Sequence, residues 1–136
     1  MNWKPYLASV AAVGIVANVL DFVVHGNLFS SMYYSKLPQL FRQDMNVGAI
    51  VFGDFVAAAV LVWFYQRVLA SFGTGPMNGL KFGIYAGIFM SFPAFIFVHL
   101  TFAGYPYSLS WAMTVYGVVW CAVSGAIAGM IYGKSA

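Results

Sequence analysis

Charge is what this sequence has least of. Only 7% of its 136 residues are Asp, Glu, Lys or Arg, and glutamate is absent, whereas a soluble domain carries about 25% charged residues. With 62% hydrophobic residues and a mean hydropathy of +0.85, the scarcity excludes a soluble core of this length and points to an integral membrane protein. Cysteine is nearly missing as well. The single Cys121 excludes an internal disulfide and a thiolate metal cluster, and its apolar neighbours make it an inert buried thiol. The net charge of +3 suggests no nucleic acid partner, because the six basic residues are scattered over short loops. Lys4 and the apolar run after it resemble a signal peptide, but polar residues inside the run favour a retained first span.

What is present is long and apolar. A spanning helix needs about 20 mostly apolar residues, and four segments meet that, at about 6–25, 47–65, 82–102 and 109–132. From Phe82 to Gly133 there is no Asp, Glu, Lys or Arg. One helix of that length would overrun any bilayer, so the chain must turn back at AGYPYS, where Gly104 and Pro106 stand. The expected fold is therefore an all-α membrane protein, with residues 1–136 forming one domain of four antiparallel transmembrane helices and an outer interfacial loop between the first two. In that topology Lys4, Arg67, Lys81 and Lys134 share one side, and Lys36 and Arg42 share the other. The excess of Lys and Arg marks the cytoplasmic side, which places both termini there. The first loop, with its aromatic residues, suits the outer interface, and Pro38 divides it.

Apolar helices have little hydrophobic reason to associate in lipid, so small residues that allow close approach become the packing signal. The fourth span has Gly117, Cys121, Gly125, Gly129 and Gly133. The third has Gly79, Gly83, Gly87 and Ser91 at the same four-residue spacing. These ladders fit packing inside the bundle, or, for the fourth span, a docking face for another subunit. Pro93 should kink the third span, as a hinge or as a static bend.

Polar side chains are few enough to follow singly. At about 100° per residue, Gly14, Asn18, Asp21 and His25 fall within about 40° of one line along the first span. An Asp near a helix centre costs about 2.5–3.5 kcal/mol, so this face should meet protein or water. At about 1.5 Å of rise per residue, Asp21, Asp54 and His99 lie within about 6 Å of one depth. Asn18, Asp21, His25, Asp54 and His99 are thus expected to form one polar cluster in the outer half of the bilayer. Four readings are open. The cluster could be interhelical glue, with Asp21 bonded to His25 and Asn18 and with Asp54 on a hydroxyl such as Ser110 or Thr114. It could bind a proton or a divalent metal ion through Asp21, His25, Asp54 and His99. The two histidines could ligate haem b, if the first and third spans lie diagonally. Or His25, oriented by Asp21, could act as a general base on a lipid or quinone head group.

The order of motifs is also familiar. DFVVHG, an aromatic loop, LKFGIYAGIFMSFP, YPYSLSWA and SGAIAGMIYG together resemble a group of small bacterial four-span membrane proteins. The resemblance covers most of the chain and falls on Asp21, His25, Gly26, Gly83, Gly87, Pro93, Tyr105, Pro106 and Ser108. It implies the four-span topology and a bacterial inner membrane and singles out Asp21 and His25, without implying an activity. The second span is the least similar, which leaves Asp54 particular to this chain. The leading expectation is a non-catalytic membrane protein with the lipid bilayer as its partner. It would act as a homo-oligomer or as an accessory subunit beside other membrane subunits, with the Asp/His cluster specifying its packing. Cation, proton or haem binding is the alternative.

Overall fold

The computed structural model describes residues 2–42 and 44–135. Its four long helices are α1 (Trp3–Val23), α2 (Val47–Phe72), α3 (Pro76–Ile96) and α4 (Tyr107–Lys134). Among the described residues there is no strand, and all four helical segments are long and apolar enough to cross a membrane. The chain is an all-α membrane protein. The helices extend past most of the limits expected from hydropathy, because hydropathy registers only the hydrocarbon layer, about 30 Å thick. The 26-residue α2 is about 39 Å long at about 1.5 Å per residue. The third span departs the other way. Helix α3 passes through Pro93 and ends at Ile96, and Val98–Thr101 forms a separate helical turn.

The first span also continues beyond expectation. After Val23 it widens into a π-helical segment, Val24–Phe29, and runs on through Ser30–Met32 before a 3₁₀ turn at Tyr34–Lys36. Asn27 donates its side-chain amide to the Phe22 carbonyl at 3.0 Å across this wide turn. A π-bulge resets the angular position of everything that follows it, and such bulges gather at functional sites. The end of the bundle with residues 33–42, 44–46 and 102–106 is the loop side. The end with both termini and the 73–75 turn is the terminal side.

The closest helix pair is α3 against α4, and glycine makes it close. A Cβ placed on Gly79 would lie 1.9 Å from the Gly125 carbonyl oxygen, and one on Gly83 would lie 2.1 Å from that of Cys121. Gly87 faces the Val118 backbone, and Gly117 faces Ser91 Oγ. At the terminal end the Gly75 N–H donates to the Gly129 carbonyl at 2.9 Å, from a turn whose Gly73 and Gly75 have positive φ. The two ladders therefore face one another inside the chain, and the α4 ladder is not free as a docking face. Only Gly133, at its end, is exposed. Between α1 and α2 a single glycine plays the same part. A Cβ on Gly14 would lie 2.2 Å from the Phe55 ring, so Gly14 lets the residue next to Asp54 pack directly on α1.

The core occupies the centre and the terminal half, where Val13, Ala58, Val62 and Tyr65 are completely buried beside Phe82, Cys121, Ala128 and Tyr132. A second cluster lies under the loop-side segments, with Phe29, Leu109 and Met113 buried and Tyr33, Tyr34, Phe41 and Tyr105 packed against them.

Candidate functional site

Three helices bring polar groups together in the loop-side half. Asp21 comes from α1, Asp54 from α2 and Tyr116 from α4. The Tyr116 hydroxyl donates to Asp21 Oδ1. The Asp54 carboxyl lies close enough to the Asp21 carboxyl for the two to interact electrostatically, and its Oδ2 is buried without a hydrogen-bond partner. Two neighbouring carboxylates repel one another when both are ionised, so this pairing responds to proton supply by its chemistry. Among the described residues the only ion pair is Arg42–Asp44, at 3.3 Å on the exposed loop. Among the described residues no Lys or Arg pairs with either of these half-buried carboxyls.

His25 forms the next layer toward the loop side. Its Nδ1 lies 2.5 Å from the Tyr34 hydroxyl, with donor and acceptor set by the tautomer. Its ring packs edge-on against Phe29 and Tyr116, with centroids 5.2 and 5.0 Å away. Tyr34 in turn packs on Phe41 and lies within electrostatic range of Tyr105. Burial pushes the Tyr105 phenol above its ordinary value, so this turn residue stays a neutral hydrogen-bonding group. His25 and Tyr34 thus stand between the carboxyl pair and the loop, with His25 touching the Tyr116 ring rather than a carboxyl.

Several expected contacts are replaced. Asp21 does not bond to His25 or Asn18. The Asn18 amide donates to the Gly14 carbonyl of its own helix at 2.8 Å, and His25 is turned onto Tyr34. The π-helical turn beginning at Val24 is the reason, since Asp21 and His25 no longer stand on a regular four-residue line. Asp54 meets Asp21, while Thr114 bonds the Ser110 carbonyl of its own helix and Ser110 Oγ lacks a partner.

His99 does not join the group. It packs edge-on against Tyr107 at 4.7 Å, and its Nδ1 is buried without a partner. His25 packs on Tyr116, and those two tyrosines lie about 14 Å apart along α4 at about 1.5 Å per residue. The depth reckoning put Asp21 too close to the surface because the first span continues past Gly26. Two imidazoles staggered by that much do not face each other across one iron atom, so the pair does not fit haem b. Nor do Asp21, His25, Asp54 and His99 form a metal centre, for no three His, Cys, Asp or Glu side chains among the described residues gather closely enough.

No protein family, curated protein or solved structure matches this chain. The site must therefore be read from its own geometry. Sequence reasoning missed Tyr34 and Tyr116. A depth count along α4 would have brought Tyr116 level with Asp54, but only acids and histidines were counted as chemistry-bearing groups.

A second polar group occupies the terminal half of the same three helices. Tyr132 of α4 donates to Gln66 Oε1 of α2 at 2.7 Å, and Tyr6 of α1 donates to the Ala59 carbonyl at 3.2 Å. On α2 the four-residue steps from Asp54 to Gln66 pass Ala58 and Val62, both completely buried. A dry layer therefore separates the two polar groups.

Proposed function

We propose that this polytopic membrane protein binds and releases a proton at the Asp21–Asp54 carboxyl pair, exchanging it with the loop side through His25 and Tyr34. The observation that carries the proposal is the meeting of two carboxyls between α1 and α2 with no basic partner and one oxygen left without a hydrogen bond. Two carboxyls sharing a site away from water cannot both ionise easily, so one proton held between them relieves the repulsion. A pair serving only as glue would be expected to have every oxygen satisfied. Intramembrane acids of this kind mark proton or ion pathways, and the dry layer of Ala58 and Val62 makes this a one-sided site in the described conformation.

The role is non-catalytic. The best-placed base, His25, is bonded to Tyr34, and no nucleophile stands beside it. Both termini face the cytoplasm of a bacterial inner membrane in this reading, since the terminal side carries Lys4, Arg67, Lys81 and Lys134. Association with a second copy or another membrane subunit finds no support in the ladders, whose faces meet inside the chain. The test is infrared difference spectroscopy of the full chain across a pH titration. A protonated-carboxyl band should titrate in the wild type and vanish in both Asp21→Asn and Asp54→Asn, with helicity unchanged. Identical titrations in the wild type and both variants would remove the proposal.

A further inference from the structure

An apolar opening lies elsewhere, between α2 and α3. These helices meet near their shared turn, where Phe72 packs on Phe82 and Tyr85 with ring centroids 5.6 and 6.2 Å apart. Toward the middle of the bundle they part, leaving a groove of about 390 Å³. Small-molecule sites occupy about 300–1,000 Å³. Leu61 and Trp120 are among its inner residues, and the exposed Val60, Phe64, Tyr85 and Phe89 form its outer rims. From Ala57 to Phe72 the groove follows about 22 Å of α2, at about 1.5 Å per residue. It is therefore a slot along the membrane normal, confined to the central and terminal-side layers.

The charges at its terminal end decide what it takes. Arg67 stands seven residues after Val60 on α2, within about 20° of the same line at about 100° per residue. Lys81 precedes Tyr85 by four residues on α3, about 40° away by the same count. Each cation thus continues one outer rim of the groove toward the terminal surface. Both lie about 7.5 Å inside their helix ends at about 1.5 Å per residue, and Lys81 can extend from there to the head-group layer, whereas Arg67 is folded back along the groove's rim. Arg67 is stacked over Trp63 at 5.0 Å, which fixes the guanidinium and leaves its donors available. Neither cation makes an ion pair among the described residues. All three acids of the chain, Asp21, Asp44 and Asp54, belong to the other half.

We infer that this groove is a binding site for one anionic phospholipid of the terminal-side leaflet. One acyl chain lies in the slot, and the phosphate is held between Arg67 and Lys81. The apolar lining fits the chain, and the two flanking cations select an anionic head group over a zwitterionic one. A second copy of the chain would place apolar side chains in the slot but would bring no acid to Arg67 and Lys81, since its acids sit in the opposite half.

The test is native mass spectrometry of the full chain released from nanodiscs containing equal amounts of phosphatidylglycerol and phosphatidylcholine. The wild type should retain one phosphatidylglycerol per monomer, at least fivefold over phosphatidylcholine. The double variant Arg67→Gln/Lys81→Gln, altered only at exposed positions, should lose that preference and keep its fold. Ala86→Trp, which fills the slot, should lose retained lipid of either kind. Equal retention of both lipids by the wild type, a preference unchanged in the double variant, or a lipid-free dimer would each overturn the inference.

Discussion

The two halves of this bundle use the same three helices for opposite ends. On the terminal side Tyr6, Tyr65 and Tyr132 each donate to a definite acceptor, the Ala59 carbonyl, the Gly73 carbonyl and Gln66 respectively. That half also holds the tightest glycine contact, Gly79 on the Gly125 carbonyl, and most of the fully buried core. The loop-side half carries two facing acids, a π-helical turn, and three of the four buried side-chain polar atoms that lack a partner among the described residues: Asp54 Oδ2, His99 Nδ1 and Ser110 Oγ. The fourth, Ser9 Oγ, is the terminal half's exception. Neutral phenols and an amide can satisfy one another completely at any proton supply, so they lock helices together. Two carboxyls cannot, and what they sacrifice in rigidity they retain as the capacity to take up a proton.

The comparison can be broken most severely at the ladder. Gly83→Leu would drive a side chain into the Cys121 carbonyl, from which even a Cβ would be only 2.1 Å away. Backbone faces backbone there, so neither partner can swing aside. The expected loss is more than about 4 kcal/mol, among the largest single-site effects. It should appear as the absence of a monodisperse helical species in size-exclusion chromatography and circular dichroism. Wild-type-like melting of that variant would mean that the α3–α4 contact is not what holds the terminal half.

Next come the hydroxyls that distinguish the halves. Tyr132→Phe strands Gln66 and should lower unfolding stability by about 1–2 kcal/mol, within the range for a lost buried hydrogen bond. Its carboxyl infrared titration should be unchanged. Tyr116→Phe should cost a similar amount, about 1–2 kcal/mol, but it should also move the titration midpoint, because the hydroxyl donates to Asp21. Equal infrared behaviour in these two variants would erase the functional difference between the halves. The smallest effect is expected at Gly133→Ala, within about 0.5 kcal/mol as for most surface changes. Its Cβ would sit 3.4 Å from the Gly75 nitrogen, whereas one on Gly129 would sit 2.2 Å from the Gly75 oxygen. Thermal melts of Gly133→Ala and Gly129→Ala should therefore differ clearly, and similar melts would show that the ladder ends before Gly129.

Much of the fold was legible in the chain, and the site was legible only in part. Depth counting along straight helices is sound wherever the helices stay regular, and it identified Asp21 and Asp54 as candidates for one cluster. It failed for His99, because α3 stops at Ile96 and the first span runs on past Gly26. The ladders were visible as spacing, but spacing alone does not say which surface a ladder meets. Tyr34 left no signal that sets it apart from other interfacial tyrosines, and Tyr116 emerges only when the depth count is extended to tyrosines.

By itself the sequence determined that this chain is a set of apolar helices reversing through a membrane, because lipid leaves the backbone no other way to satisfy its polar groups. It also determined that any buried acid must face protein. Only the tertiary structure decided which acid faces which, that the two ladders close on each other, and that α2 and α3 part to leave a slot. Those outcomes depend on contacts between distant residues, where a tenth of a nanometre at Gly14 or Gly83 governs which helices can touch, and no local pattern in the chain encodes that distance.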